Sequence, residues 1–335
     1  MKHRFLKLLA ILPVLLLVVS LSACSDDDGN GPSQTDFEVV LAAVQDWLGT
    51  SPAAAIAPST VYSDIQANAN VADRTYFVLS VRATADYDLG HIDGAINIPW
   101  RDVAQTASTA QLPTDKAIVV YCYTGHTGGL ARGALGIMGF DTENLKWGMM
   151  NWADDTQPGG VAPWTTDQAL GVETAVHTLT TTYELPDLEV SASSDADEIV
   201  RAAARRWLED TTWTPIITAS ALNALLIDGD TANDPVIISI RSATDYAAGH
   251  VPGAVNLALA DLTDVDTLEL LDPDADIVIY CYTGHTGGQA TAILNMLGYR
   301  AKNMKYGMMD WNVSYIGTPT PFAGAPDYPT VATPN

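Results

Sequence analysis

The 335-residue sequence is short of cysteine, of basic side chains and of long apolar runs. Each shortage closes off a class of protein. Three cysteines are too few for a disulfide-stapled scaffold, and the length suits two ordinary domains with cores of their own. Only 16 Lys and Arg stand against 40 Asp and Glu, a formal charge of −24. Binding to nucleic acid draws on cations that displace counterions from phosphates, so no nucleic-acid partner is expected. The same charge argues against broad adhesion to an anionic membrane surface. The apolar run Leu8–Leu21, broken by Pro13, is short for a membrane span. No Gly-x-Ser-x-Gly elbow is present, which argues against an elbow-type serine hydrolase. What remains is 47% apolar and is expected to be globular.

Lys2, Arg4 and Lys7 precede the apolar run, and it ends in Leu21-Ser22-Ala23-Cys24. Basic start, apolar middle and small residues at the end describe an export signal. The ending resembles the lipobox of bacterial lipoproteins. That resemblance implies a signal peptide over residues 1–23, cleavage before Cys24 and lipid on Cys24. An ordinary secretory signal with a chance cysteine is the alternative. Residues 24–36 then read as a flexible polar tether. Three basic residues and no acids lie in the signal, so the rest carries a formal charge near −27 and the lipid must do the anchoring. Ser25 after the lipid cysteine suggests an envelope lipoprotein of the outer membrane, facing periplasm or exterior.

The remaining cysteines occur in two copies of one nonapeptide, Tyr-Cys-Tyr-Thr-Gly-His-Thr-Gly-Gly, at Tyr121–Gly129 and Tyr280–Gly288. They belong to a longer repeat. Arg82, His91, Cys122, Gly148 and Trp152 recur 159 residues later as Arg241, His250, Cys281, Gly307 and Trp311. A repeat of this length is a duplicated domain rather than a solenoid unit. The expected organisation is domain 1 over 37–152, a linker over 153–194 rich in Thr, Pro, Gly and Asp, and domain 2 over 195–325. The linker is expected to carry a short strand or arm that packs on a domain.

Within each copy, β-branched apolar runs (Thr75–Val81 and Pro235–Ile240; Lys116–Cys122 and Ala275–Cys281) predict buried parallel strands. Apolar spacing predicts helices over Phe37–Leu48 and Asp195–Leu208, and after the cysteine loops over Leu130–Met138 and Gln289–Leu297. Gly139 and Gly298 mark the ends of the latter pair. Strands alternating with helices imply an α/β fold with parallel sheets flanked by helices.

Each cysteine is thus placed at the carboxyl end of a buried strand and before a helix, where open α/β sheets bind ligands. The glycines of the loop permit tight turns that aim backbone N–H groups at the sulfur. The helix adds its positive end, a setting that favours a thiolate. A structural cysteine at a strand end is the plainer alternative. A disulfide between Cys122 and Cys281 would need the two loops to face each other and would bury both sites. A zinc site on Cys122 and His126 is short of ligands, since each copy offers one further histidine, His91 or His250.

Two motifs in each copy resemble the rhodanese (thiosulfate sulfurtransferase-like) family. They are Arg-x4-Tyr-x2-Gly-His-Ile/Val-x-Gly-Ala-x-Asn, at Arg82–Asn97 and Arg241–Asn256, and the strand–Cys-x-x-Gly-x-Thr–helix loop at Cys122–Thr127 and Cys281–Thr286. The resemblance implies two domains with a five-stranded parallel sheet each. It implies Cys122 and Cys281 as nucleophiles that take sulfur from a small anionic donor such as thiosulfate and pass it to a thiol or cyanide. It also implies a substrate-binding loop formed by Tyr123, Thr124, Gly125, His126, Thr127 and Gly128, and in copy 2 by Tyr282, Thr283, Gly284, His285, Thr286 and Gly287. Arg82, His91, Arg241 and His250 are expected to be structural, the arginines as ion-pair members, and Asn97 and Asn256 to be turn residues. No cofactor and no metal is expected, only a covalent persulfide.

The sequence departs from the family in having Ser80 and Ser239 where an Asp is common before the Arg, and no Arg or Lys in the loop. The donor therefore stays open between thiosulfate, polysulfide and chalcogen oxyanions such as selenite or tellurite. A persulfide or redox carrier module, with an envelope redox protein as partner, and an acidic docking scaffold are the non-enzymatic alternatives.

Overall fold

The β-branched runs form strands, and every strand in a named sheet runs parallel to its neighbours. The computed structural model describes residues 34–50, 55–165 and 167–333. The signal segment, Cys24 and the tether as far as residue 33 lie outside the described residues. Among those described, no helix is long and apolar enough to cross a membrane.

The first copy runs α1 (Asp36–Thr50), α2 (Pro58–Ala67), β1 (Tyr76–Ser80), α3 (Thr84–Leu89), β2 (Ile96–Asn97), α4 (Thr106–Thr109), β3 (Ala117–Tyr121), α5 (His126–Ile137) and β4 (Thr142–Asn144). The second runs α6 (Ala196–Leu208), β5 (Ile216–Ile217), α7 (Ala219–Ile227), β6 (Val236–Ser239), α8 (Ala243–Ala248), β7 (Val255–Asn256), α9 (Val265–Leu268), β8 (Asp276–Tyr280), α10 (His285–Met296), β9 (Arg300–Met304) and α11 (Met308–Trp311).

The second sheet has the expected five strands, in the order β5-β9-β8-β6-β7. The first has four, β2-β1-β3-β4, and its fifth position shrinks to one bridge between Ile56 and Leu145. Ile56 donates its N–H to Asn144 O at 2.8 Å and accepts from Lys146 at 2.9 Å. Its neighbours Ala55 and Ala57 are poor strand formers, where copy 2 has Ile216 and Ile217.

The helices after the cysteines begin earlier than their apolar spacing suggests. α5 starts at His126 and α10 at His285, so Thr-Gly-Gly lies inside the first turn. Glycine in a helix costs ~1 kcal/mol relative to alanine. Here close packing demands it. A Cβ on Gly133 would lie 2.5 Å from that of Ala292, and one on Gly288 would lie 3.3 Å from the Gly129 backbone. Both helices end in a Schellman motif. Phe140 N–H donates to Leu135 O and Gly139 N–H to Gly136 O, and Tyr299 and Gly298 repeat the pattern on Leu294 and Asn295.

α5 and α10 pack on each other at the centre of the molecule. One apolar core runs through both copies, from Val40 and Val44 on α1 through Leu130 and Leu135 to Val200, Trp207 and Ile293. Residues 34–335 accordingly form a single compact unit. Each sheet also has a private core on its outer face, closed by Trp152 in copy 1 and Trp311 in copy 2.

Over residues 168–177 the linker is an ordered arm on copy 2. Leu170 N–H donates to Trp311 O, and Glu173 and His250 exchange backbone bonds at 3.0 Å in both directions. The tail does the same for copy 1. Tyr328 N–H donates to Trp152 O, and His91 exchanges bonds with Val331. Each copy is thus covered by the segment that follows the other.

Candidate active site

Cys122 and Cys281 sit one residue past β3 and β8, 0% and 2% exposed. The two loops do face one another, yet both thiols are free. Gly125 N–H points at the Cys122 sulfur at 3.1 Å, and Gly284 N–H at the Cys281 sulfur at 3.0 Å. Gly125 and Gly284 have φ of 85° and 88°, where L side chains are strained. A Cβ on either would also lie 2.6 Å from a histidine of the opposite loop.

Each loop is pinned at its mouth. The Tyr123 hydroxyl accepts from Ala83 N–H at 3.0 Å and donates to Asp86, and Tyr282 does the same with Ser242 at 2.9 Å and Asp245. Thr124 and Thr127 are half-buried there, as are Thr283 and Thr286. Gly128 and Gly287 are buried under an asparagine that sequence reasoning passed over. Asn144 Nδ2 donates to Gly125 O and Asn303 Nδ2 to Gly284 O, both at 2.9 Å. The turns after β4 and β9 complete the cradle: Met149 and Met150 donate to the carbonyls of Cys122 and Tyr123, and Met308 and Met309 to those of Cys281 and Tyr282. Gly148 and Gly307 must be glycine, because a Cβ would lie 2.5 and 2.4 Å from the cysteine carbonyl oxygens. The signal was in the sequence, since Asn144 and Gly148-Met149-Met150 recur 159 residues on.

The histidines are placed differently from the expectation that grouped them with substrate contacts. His126 Nε2 accepts the backbone N–H of Tyr306 at 2.8 Å, and His285 Nε2 accepts that of Trp147 at 2.8 Å. The proton therefore resides on Nδ1, which faces Thr124 Oγ1 at 2.8 Å and Thr283 Oγ1 at 3.1 Å. Burial holds His126 well below the usual imidazole range, helped by His285 and Lys305. Burial and Lys146 push His285 down to about 3. Both rings are neutral and interior. With both nitrogens of His126 engaged, a metal shared with Cys122 has no lone pair to use.

Trp147 and Tyr306 hold positive φ values of 65° and 62°, so each histidine fixes a strained residue of the opposite copy. Tyr306 reaches the Cys122 site. Burial pushes its hydroxyl up to about 12, with Thr124, Asp310 and the Cys122 sulfur close enough to contribute. Trp147 is its counterpart, packed edge-on against His285 at 4.5 Å between ring centres. Met150, Met309, Ile316 and Phe322 close an apolar cover around this pair. The cations missing from the loops lie just outside them, on Lys146 and Lys305, close enough to act on His285 and His126.

Arg82 and Arg241 are buried, but among the described residues neither forms the expected ion pair. Arg82 donates to Gly90 O and Gly159 O, and Arg241 to Gly249 O and Tyr315 O. Ser80 and Ser239 replace the carboxylate, so backbone carbonyls and the faces of Tyr121 and Tyr280 take the charge. His91 and His250 stack on Tyr87 and Tyr246 at 3.8 and 3.7 Å, and Asn97 and Asn256 tie β2 and β7 to the Arg82 and Arg241 carbonyls.

The profile of the Rhodanese-like domain matches residues 62–155 and 218–314, more than half of the sequence. The chain belongs to the rhodanese-like family. Among its relatives is a sulfurtransferase of Allochromatium vinosum, 32% identical over 96 residues, 28% of this chain and 85% of that protein. A thiosulfate sulfurtransferase of Pseudomonas fluorescens is 30% identical over 81 residues, 24% of this chain and 72% of that protein. The chain spans a smaller part of other curated relatives, such as 22% of a probable adenylyltransferase/sulfurtransferase of Mycobacterium tuberculosis, to which it is 36% identical over 86 residues. Among solved structures, a thiosulfate sulfurtransferase of Pseudomonas aeruginosa aligns over 80% of this chain and 46% of its own, at 15% identity and a TM-score of 0.28. Both rhodanese-like domains here keep their cysteine and the full loop around it.

Proposed function

We propose that the protein is a sulfurtransferase with two working cysteines. The observation that carries this reading is the pair of free cysteines, each at a strand end with a backbone N–H about 3 Å from its sulfur. The named activity of the relatives supports it. A Cys122 or Cys281 thiolate attacks the outer sulfur of a donor such as thiosulfate. The sulfur–sulfur bond of the donor breaks and sulfite leaves with its electron pair. The enzyme then holds a persulfide, whose terminal sulfur accepts hydrogen bonds from loop amides. Cyanide or a thiolate attacks that terminal sulfur, and the cysteine thiolate returns. No cofactor is required for this balance.

Lys146 and Lys305 supply positive charge for an anionic donor in an otherwise acidic protein. Lipid on Cys24 places the domains at the envelope membrane, with a thiol-bearing redox protein there as acceptor.

Intact mass after thiosulfate and then cyanide tests this reading, beside Cys122→Ser and Cys281→Ser. One sulfur gained per remaining cysteine and removed by cyanide is expected. No gain with thiosulfate or polysulfide, with both thiols shown free, overturns it.

A further inference from the structure

The arm on copy 2 brings together three metal-ligating side chains that belong to neither cysteine loop. Glu173, His177 and His250 offer ligand atoms that all lie within 4.8 Å of one another. Glu173 Oε1 is 2.8 Å from His177 Nε2 and 3.8 Å from His250 Nε2. Ligand atoms ~2.0–2.1 Å from a tetrahedral zinc ion are separated by about 3.3 Å. The two distances straddle that value, and the third pair lies within 4.8 Å.

His250 makes the stronger argument. It is 0% exposed and stacks on Tyr246. Its Nδ1 faces Tyr246 O at 2.8 Å, and the neutral ring that donates Nδ1–H there keeps a lone pair on Nε2. Nε2 lies 2.9 Å from Ala175 O and 3.8 Å from Glu173 Oε1. An Nε2 that faces two oxygens needs a cation between them, either a proton, which makes a buried imidazolium beside Glu173, or a metal ion. An imidazole that donates Nδ1–H to a carbonyl and presents Nε2 inward is the usual orientation of a metal-bound histidine.

Copy 1 offers an internal comparison. His91 repeats the bond to a carbonyl, with Nδ1 2.9 Å from Tyr87 O, and the stack on the ring. There the chain tail crosses with Val331 in the place of Glu173. Among the described residues no metal-ligating cluster forms around His91.

We propose that Glu173, His177 and His250 bind a first-row divalent cation, zinc foremost, with the Ala175 carbonyl in reach as a fourth ligand. Two imidazoles, a carboxylate and a carbonyl form a donor set that zinc accepts. The ion clips the interdomain arm onto copy 2. His177 and Glu173 come from the arm and His250 from the domain, so the ion cross-links two chain segments more than 70 residues apart.

Equilibrium dialysis of the purified chain against buffered Zn2+ tests the site, beside Glu173→Gln and His177→Ala. Both substituted side chains are partly exposed, at 29% and 40%, so the fold should survive. The wild type should bind one more zinc per chain than either variant, with affinity at the site falling at least tenfold in each. Zinc should raise the melting temperature of the wild type and not of the variants. With Co2+ the site should give a spectrum of nitrogen and oxygen coordination, without a sulfur charge-transfer band, which separates it from metal on the cysteines. Equal zinc content in wild type and both variants, or none in the wild type, overturns the proposal.

Discussion

His126 and Tyr306 are joined across the two copies, the imidazole Nε2 accepting the tyrosine backbone N–H at 2.8 Å. His285 and Trp147 make the same bond in the opposite sense. Each histidine lies four residues past its own cysteine yet holds the turn that closes the other cysteine's cradle.

Removing one histidine should therefore be felt at the opposite sulfur. In a Cys281→Ser background only Cys122 of the two loops can load. His285→Ala leaves Trp147 N–H buried without a partner, a loss of ~1–3 kcal/mol. The turn through Met149 and Met150 then loosens from Cys122 and Tyr123. Loading of Cys122 followed by intact mass should slow about tenfold, the equivalent of roughly 1.4 kcal/mol. An unchanged rate in a folded variant would refute the coupling.

Acid should weaken the fold through the same pair. Both histidines titrate lower in the folded state than the ~6.5 of an exposed imidazole, His285 at about 3. The unfolded chain therefore takes up more protons as pH falls below ~6.5, and stability is lost progressively down toward pH 3. Each imidazole contributes a slope of up to ~1.4 kcal/mol per pH unit in that window. Denaturant melts at pH 7, 6 and 5 should show the drop, and it should be shallower in His285→Gln. Parallel slopes in the two proteins would show that the ring does not carry it.

Gly133→Ala should destabilise, although alanine is the better helix former by ~1 kcal/mol. The new methyl meets Ala292 at 2.5 Å across the α5–α10 contact. Overpacking of this kind costs ~1–3 kcal/mol, enough to outweigh the propensity gain. The melting temperature should fall, and a second substitution, Ala292→Gly, should restore it.

Asn144→Ala should lower sulfur loading at Cys122 more than it lowers stability. It deprives Gly125 O of its side-chain donor, and the same residue's N–H faces the sulfur. An effect of ~1–2 kcal/mol on loading, or roughly 5–30-fold, is expected in the Cys281→Ser background, with a cooperative melt retained. If the melt shifts and the loading rate does not, Asn144 serves only the fold.

The strands, the duplicated domains and the cysteine loops were legible because their signals are local. A β-branched run buries wherever it lies, and glycines after a strand make a turn in any context. The early start of α5 and α10 was hidden, since Thr-Gly-Gly has poor helix propensity and only the partner helix explains it. The reduced fifth strand of copy 1 turned on Ala55 and Ala57, whose weak pairing tendency the family pattern hid. The histidines misled for a related reason. Spacing from the cysteine placed them in the loop correctly, but their hydrogen-bond partners lie 138 and 180 residues away. The arginines followed the same course: Ser80 and Ser239 announced a missing carboxylate, while the replacement carbonyls at Gly90, Gly159, Gly249 and Tyr315 come from turns no short-range pattern marks.

The reciprocal histidine bonds have the form of an isologous contact: residue 126 meets 306, residue 285 meets 147, and both pairs are related by the 159-residue offset. A two-fold dimer of single domains would use its surface in this way. Tethering the halves in one polypeptide makes their association unimolecular, so dilution cannot separate them. It also releases the two faces from having to be identical. Trp147 opposite Tyr306 is one point where that freedom has been used, giving two cysteines with one cradle and different ceilings.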